Sequence, residues 1–166
     1  MYYYRNMDTP VGRLLIIATD QGLRAILWEK EDGSRVKLPV SGNNDPHPLL
    51  DDTVQQLGEY FAGKRRSFEL PLHLEGTPFQ RQVWEALLQI PYGETRTYQQ
   101  LAIQLGNPYA VRAVGAANGK NPVSIVAPCH RVIGSSGSLT GFAGGVAVKE
   151  KLLTLEGAIK KTNTLF

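Results

Sequence analysis

Thr97-Tyr98-Gln99-Gln100-Leu101-Ala102-Ile103-Gln104-Leu105-Gly106-Asn107-Pro108-Tyr109-Ala110-Val111-Arg112-Ala113-Val114-Gly115-Ala116-Ala117 is a helix, a break and a second helix. Thr97 and Gln100 make a capping box that starts the first helix. Leu101, Ala102 and Leu105 give it an apolar face, and Gly106 with Asn107-Pro108 ends it and turns the chain. The second helix begins almost at once, at Tyr109, so the pair predicts a helix-turn-helix. Apart from Tyr109 and Arg112 the second helix carries only small or apolar side chains. It lacks the Asn, Gln and Lys set that reads bases in a major groove. Two readings stay open: a helix lying close against a backbone or minor groove with Arg112 as its one long probe, or a small-residue helix packed inside the domain.

Upstream, Thr77-Pro78-Phe79-Gln80 is another capping box with proline at the first helical position. Phe79, Val83, Leu87 and Ile90 share one face of that helix, which Pro91 stops. Gly76 marks a boundary, because before it the pattern changes. Leu14 to Ala18 and Leu23 to Trp28, joined by Thr19-Asp20-Gln21-Gly22, predict an antiparallel hairpin, with Tyr2 to Met7 a candidate strand beside it. Glu29 to Pro48 is charged or rich in Gly, Asn and Pro, which predicts an irregular, mobile loop without visible chemistry. Leu50, Val54, Leu57 and Phe61 recur at helical spacing over Pro48 to Phe61, ending at Gly63. Lys64-Arg65-Arg66 fits either a phosphate contact or solvated charges complementing the helix dipole. Phe68, Leu70, Leu72 and Leu74 alternate as in a half-buried strand, and Pro71 gives it an edge position. The expected class is α+β: an α/β domain over 1–75, an antiparallel sheet with a helix, and a mostly helical domain over 76–166.

Downstream lies the only cysteine, in Asn121-Pro122-Val123-Ser124-Ile125-Val126-Ala127-Pro128-Cys129-His130-Arg131-Val132-Ile133-Gly134. An apolar run broken by Pro128 delivers a thiol beside an imidazole and a guanidinium, an electropositive setting that favours thiolate. With Pro128 at the first position of a short helical turn, Cys129 sits at its positive end, and Gly134 ends the turn. A lone cysteine is otherwise an ordinary small buried residue, but an adjacent His and Arg are expensive to bury without partners. A last helix runs from about Val146 to Glu156, with Val148, Leu152 and Leu155 on its buried face. Glu156 stands at its C-terminal end, where the dipole disfavours a carboxylate. It is either exposed or paired with a cation, for which His130 and Arg131 are the candidates.

The net charge of +3 is unevenly spread: residues 1–75 carry 9 basic and 11 acidic side chains, residues 76–166 carry 9 and 4, giving −2 and +5. The cysteine lies in the basic half, so its surface is expected to face an anionic partner, nucleic acid first. One cysteine allows no internal disulfide, the N-terminus starts no signal peptide, and no apolar run has the length of a bilayer span. A reducing cytoplasm is the expected setting.

These residues resemble the O6-alkylguanine-DNA alkyltransferases. Pro128-Cys129-His130-Arg131-Val132 is similar to that family's active-site signature. So are Arg112-Ala113-Val114-Gly115, Asn121-Pro122, the glycine loop Gly141 to Gly145, Lys149-Glu150 and Leu155-Glu156-Gly157, with a weaker echo at Thr9-Pro10-Val11-Gly12. The resemblance implies a ribonuclease-H-like first domain and a winged helix-turn-helix in the second. It implies that Cys129 takes an alkyl group from O6 of guanine, or O4 of thymine, in double-stranded DNA, once per chain and without a cofactor. His130 would deprotonate Cys129 through a water, Glu156 orient His130, Asn121 tie the active-site turn to the helix-turn-helix, and Tyr98 donate toward the leaving base. Arg112 would fill the gap left by the flipped nucleotide, with Tyr98, Ala110, Ala113 and Gly115 also on the DNA side. Val132, through its carbonyl, and Phe142, Ala143 and Gly144 would line the base pocket. Some relatives have tyrosine and serine where this chain has Phe142 and Ala143, so contacts through those hydroxyls are missing here. Some also bind zinc in the first domain, but one cysteine with His47 and His73 is too small a ligand set. No metal is expected, and both histidines are read as surface residues. The expected state is a monomer. Competing readings are a lesion sensor that binds without transfer, marked by loss of the cysteine, and a Cys-His hydrolase, for which no oxyanion loop is evident.

Overall fold

The alternation of apolar residues in the first thirty positions produces a three-stranded antiparallel meander, β1 (Tyr3–Thr9), β2 (Gly12–Thr19) and β3 (Gly22–Trp28), in spatial order β1-β2-β3. The computed structural model describes residues 1–31, 33–38 and 42–160. Leu14 pairs with Trp28 and Tyr3 with Ala18, and a bulge at Ile17/Ala18 bends β2. Helix α1 (Pro48–Phe61) has the bounds its periodicity predicts and lies against all three strands. Leu50, Leu57 and Tyr60 on its inner face join Leu14, Ile16, Leu23 and Ile26 in one core.

The outer edge of β3 does two jobs. Leu23 N–H donates to Pro71 O at 2.7 Å and Leu23 O accepts from His73 N–H at 2.8 Å, while Ile26 N–H donates to Pro122 O at 2.8 Å. The alternating stretch Phe68 to Leu74 is therefore an extended segment with one bridge, Leu72 to Leu23, and not a full strand. Pro71 has no N–H to continue a ladder, and the next length of edge is taken by Pro122 and Val123. That second pairing fixes the stretch leading to Cys129 against the sheet.

The expected loop after β3 is irregular over its described residues; Asp32 and residues 39–41 lie outside them. Within it Arg35 is tied down by Glu31 and by two backbone carbonyls, so this part of the loop is anchored to the fold. Neither histidine is a free surface residue. Both are half-buried: the His47 ring accepts from Leu49 N–H as the N-cap of α1, and His73 Nδ1 lies 2.7 Å from Thr19 Oγ1 with Nε2 3.2 Å from Glu75.

The second half contains α2 (Pro78–Leu88), β4 (Arg96–Thr97), α3 (Tyr98–Gln104), α4 (Val111–Gly119), β5 (Val132–Ile133) and α5 (Val146–Leu155). Both capping boxes are formed, Thr77 with Gln80 and Thr97 with Gln100. Helix α4 starts two residues later than its composition suggests, because Asn107 holds Tyr109 and Ala110 in a turn through its side chain and its carbonyl. Its Val114, Ala117 and Asn118 are buried and its Arg112, Ala113 and Ala116 are exposed, so the reading of α4 as a fully packed helix fails. Helices α2, α3 and α4 enclose a second core that includes Cys129 and Val132. Among the described residues no helix is long and apolar enough to cross a membrane.

Candidate active site

The segment 121–132 passes from the first core to the second. Val123, Ser124, Ile125, Val126 and Ala127 are all buried. The Asn121 amide donates to Ala127 O at 2.8 Å and accepts from Val123 N–H at 3.1 Å, closing the segment on itself. Trp28 of β3 donates its indole N–H to Ser124 Oγ at 3.1 Å. Ile125 is held at φ 76°, a left-handed conformation that a β-branched residue adopts only under constraint. The constraint is visible: the loop is bonded to β3 on one side and to Asn121 on the other.

Pro128 then caps the turn from outside it. With φ −81° and ψ 66° it is the residue before the 3-10 turn Cys129–Arg131, not its first member. The turn ends at Arg131, not at Gly134, because Val132 and Ile133 pair with Arg96 and Thr97 as β5 beside β4. A three-residue turn supplies little dipole, and Cys129 is 5 % exposed. Burial pushes its thiol pKa up, while the Asn121 amide and the charges of Arg35 and Lys149 pull it down without prevailing. The expected thiolate-favouring balance is thus reversed in the chain on its own: desolvation outweighs the neighbouring cations.

His130 and Arg131 meet Glu156, the C-cap of α5, whose chain turns away at Gly157 with φ 76°. His130 Nε2 is 2.7 Å from Glu156 Oε2, Arg131 Nε donates to Oε1 at 2.7 Å and Arg131 Nη2 to Oε2 at 3.0 Å. All three side chains are buried, so the alternative of an exposed glutamate is excluded. Burial pushes the Glu156 carboxyl up, but the hydrogen bonds from His130 and Arg131 and their charge overrule it and hold it down to about 2. His130 is driven down by burial, against the opposing pull of Glu156. A neutral imidazole that donates from Nε2 leaves Nδ1 as the free base, and Nδ1 is buried without a partner among the described residues.

Three further residues enter this network that pattern reasoning does not single out. Tyr60 of α1 donates its hydroxyl to Glu156 Oε2 at 2.6 Å. Lys149 of α5 is wholly buried and donates to Val132 O at 2.6 Å and to Thr140 O at 2.9 Å. Arg35 donates to Asn121 O and, at 3.0 Å, to Ile26 O. Tyr60 and Lys149 lie on apolar helix faces, a signal that a polar end needs a partner there. Arg35 sits in an irregular loop with no such signal.

Tyr98 opens α3 and its hydroxyl accepts from Thr140 Oγ1 at 3.3 Å; its ring lies against Gly115, where an added Cβ would sit 3.8 Å away. Ala110 is half-buried, while Ala113 and Arg112 are exposed, with no partner for the Arg112 guanidinium among the described residues. Val132 is buried, and its carbonyl already accepts from Lys149. Phe142 meets Trp28 edge-on at 5.4 Å, and a Cβ at Gly144 would fall 2.8 Å from the same indole. Ala143 and Gly144 line a cleft of about 510 Å³ shared with Val11 and Trp28, which Cys129 does not line. The glycine loop is therefore packed on the first half of the chain. No group of three or more His, Cys, Asp or Glu side chains converges as a metal site among the described residues.

Residues 78–158 match the model of the 6-O-methylguanine DNA methyltransferase DNA binding domain, and residues 2–74 that of the 6-O-methylguanine DNA methyltransferase ribonuclease-like domain. A methylated-DNA–protein-cysteine methyltransferase of Methanosarcina barkeri is 46 % identical over 154 residues, 93 % of this chain and 96 % of the relative. The constitutive methylated-DNA–protein-cysteine methyltransferase of Bacillus subtilis is 46 % identical over 158 residues, 94 % of this chain and 96 % of its own length. The crystal structure of Mycobacterium tuberculosis OGT in complex with DNA superimposes with a TM-score of 0.86 at 45 % identity, covering 94 % of this chain and 93 % of that one. The chain therefore belongs to the 6-O-methylguanine DNA methyltransferase family.

Proposed function

We propose that this chain repairs double-stranded DNA by moving an alkyl group from O6 of guanine, or O4 of thymine, onto its own Cys129. The observation that carries the reading is His130, adjacent to the thiol, with Nε2 held on Glu156 and Nδ1 left without a partner. The Cys129 proton passes to His130 Nδ1 through one water, and Arg35 and Lys149 supply the nearby positive charge that the thiolate needs. Sulfur then attacks the alkyl carbon. One S–C bond forms, the alkyl C–O6 bond (C–O4 for thymine) breaks, and the base leaves as an anion that the Tyr98 hydroxyl stabilises by donating a hydrogen bond; the base then takes a proton from water, and His130 returns the thiol proton to solvent. The thioether is not hydrolysed and no second cysteine exists to exchange with it, so each chain acts once.

In this reading the domains are 1–75 and 76–166, and the second binds DNA as a monomer. The small residues at the start of α4, exposed Ala113 with half-buried Ala110 before it and Gly115 after it, let it approach the backbone through the minor groove, and Arg112 occupies the place of the flipped nucleotide. Asn121 holds the active-site segment against α4. Val132, Phe142, Ala143 and Gly144 receive the base through backbone contacts. The thiol, protonated while buried, is spared side reactions when no lesion is bound.

The test is intact-protein mass after incubation with a duplex carrying one O6-methylguanine, followed by peptide mapping. The expected result is one added methyl per chain, on Cys129, and none in Cys129→Ala. Binding of the duplex without a mass change would replace transfer by lesion sensing.

A further inference from the structure

Glu156 Oε2 is crowded. It accepts from the Tyr60 hydroxyl at 2.6 Å, from His130 Nε2 at 2.7 Å and from Arg131 Nη2 at 3.0 Å, whereas among the described residues Oε1 accepts only from Arg131 Nε at 2.7 Å. A carboxylate oxygen offers about two lone-pair directions, so three donors compete for its charge. Arg131 grips both oxygens and by itself fixes how the carboxylate is aimed. Tyr60 is therefore not needed for aim. What its hydroxyl changes is the negative charge that Oε2 has left for the imidazole.

Tyr60 reaches this oxygen from α1, 96 residues away in sequence. Its ring is wholly buried and wedged among Phe61, Phe68 and Tyr92, with centroids 5.3, 5.6 and 6.3 Å away. The other titratable groups around the pair are few. Among the described residues Arg131 and Cys129 come from the turn, Lys149 from α5 and Arg35, which acts on Cys129, from the loop after β3, and Tyr92 points its hydroxyl at Leu155 O, 3.4 Å away. Burial, with the negative charge of Glu156 second, keeps Tyr60 protonated far above the ordinary phenol range, so it acts only as a donor.

We propose that Tyr60 is a positioning residue that sets the basicity of His130: by sharing Glu156 Oε2 it weakens the carboxylate's hold on the imidazole and keeps the resting Cys129 thiol protonated. The inference rests on the reading of His130 as the base for Cys129. It also gives the first half of the chain a part in the chemistry.

The experiment is the pH dependence of Cys129 alkylation by iodoacetamide in the full chain without DNA, where the single cysteine makes the readout unambiguous. Tyr60→Phe keeps the ring and removes the donor, and its midpoint is expected to fall by about half a unit or more, so labelling below the midpoint runs about 3-fold faster. Site-specific 3,5-difluorotyrosine at position 60, a stronger donor of nearly the same shape, is expected to move the midpoint up. It carries the test alone if the phenylalanine variant does not fold. Midpoints that stay at the wild-type value, or that move the same way in both variants, overturn the proposal. Glu156→Gln separates the two levels. A midpoint that rises there while both Tyr60 variants stay put removes Tyr60 only, whereas a midpoint unmoved by Glu156→Gln removes the base reading and this inference with it.

Discussion

At Lys149 a buried ammonium has, among the described residues, only two carbonyls for partners, Val132 O and Thr140 O, neither formally charged. Burial lowers its pKa, and the one opposing influence is the charge of Cys129. The two groups are thus mutual counter-ions once the thiol ionises. Lys149→Met keeps most of the side-chain volume and removes the cation, so the thiolate loses support and the midpoint of Cys129 alkylation should rise. The stability change should be modest, about 1–2 kcal/mol, because relief of the buried charge offsets two carbonyls left without donors. Urea unfolding and the thiol titration check the two parts separately. An unchanged midpoint would mean that Lys149 only staples β5 to the glycine loop. The residue was present in the quoted motif Lys149-Glu150, but its role was not legible there. A lysine on a helix is ordinarily solvated; its place on the face of Leu152 and Leu153 signals that its head needs a partner, but only the fold shows which one.

At the scale of elements, what was legible is what is local. The two capping boxes and the bounds of α1 follow from side chains within four residues of each other, and all formed as expected. The stretch Phe68 to Leu74 has the period of a strand, yet whether it pairs depends on an edge that Pro122 and Val123 also claim. No sequence window contains that competition. Thr97→Ala tests the local kind: it removes the acceptor for Gln100 N–H at 3.0 Å and should cost about 1 kcal/mol in urea unfolding. Loss of the cap also loosens Tyr98, the next residue, so transfer should slow as well. Helix α4 offers a sharper functional test. Exposed and without a partner among the described residues, Arg112 contributes nothing visible to packing, so Arg112→Ala should leave stability within about 0.5 kcal/mol. Its transfer from duplex DNA should fall far more than its transfer from the free alkylated base. Equal slowing on both substrates would remove Arg112 from base flipping.

The whole molecule places the first half of the chain behind the segment 121–132 and Glu156. Arg35 reaches Asn121 O, Trp28 reaches Ser124, and Tyr60 reaches Glu156, each across more than 80 residues of sequence. Such pairs have no signature in composition or period, which is why the sequence shows a scaffold where the fold shows a second wall of the site. The partner of Glu156, by contrast, was legible, since a carboxylate at a helix C-terminus demands a cation and Cys129-His130-Arg131 offered two. That buried cluster should dominate the acid stability of the chain. Glu156 titrates at about 2 when folded against an ordinary value of 4.5, so the stability it contributes is complete above about pH 4.5 and is lost as the pH falls toward 2. The difference corresponds to something on the order of 3 kcal/mol. His130 works in the same direction: burial lowers its pKa from 6.5, so below that pH the unfolded chain takes up a proton that the folded chain resists. Thermal unfolding should therefore show a melting temperature that declines from pH 6.5 downward and most steeply below pH 4.5. Glu156→Gln should melt lower at neutral pH, because Arg131 keeps a buried charge without its partner, a loss of about 3–5 kcal/mol. The same variant should also lack the steep segment below pH 4.5. A variant that retains the full wild-type slope there would show that other carboxylates, and not this buried pair, govern the acid limb.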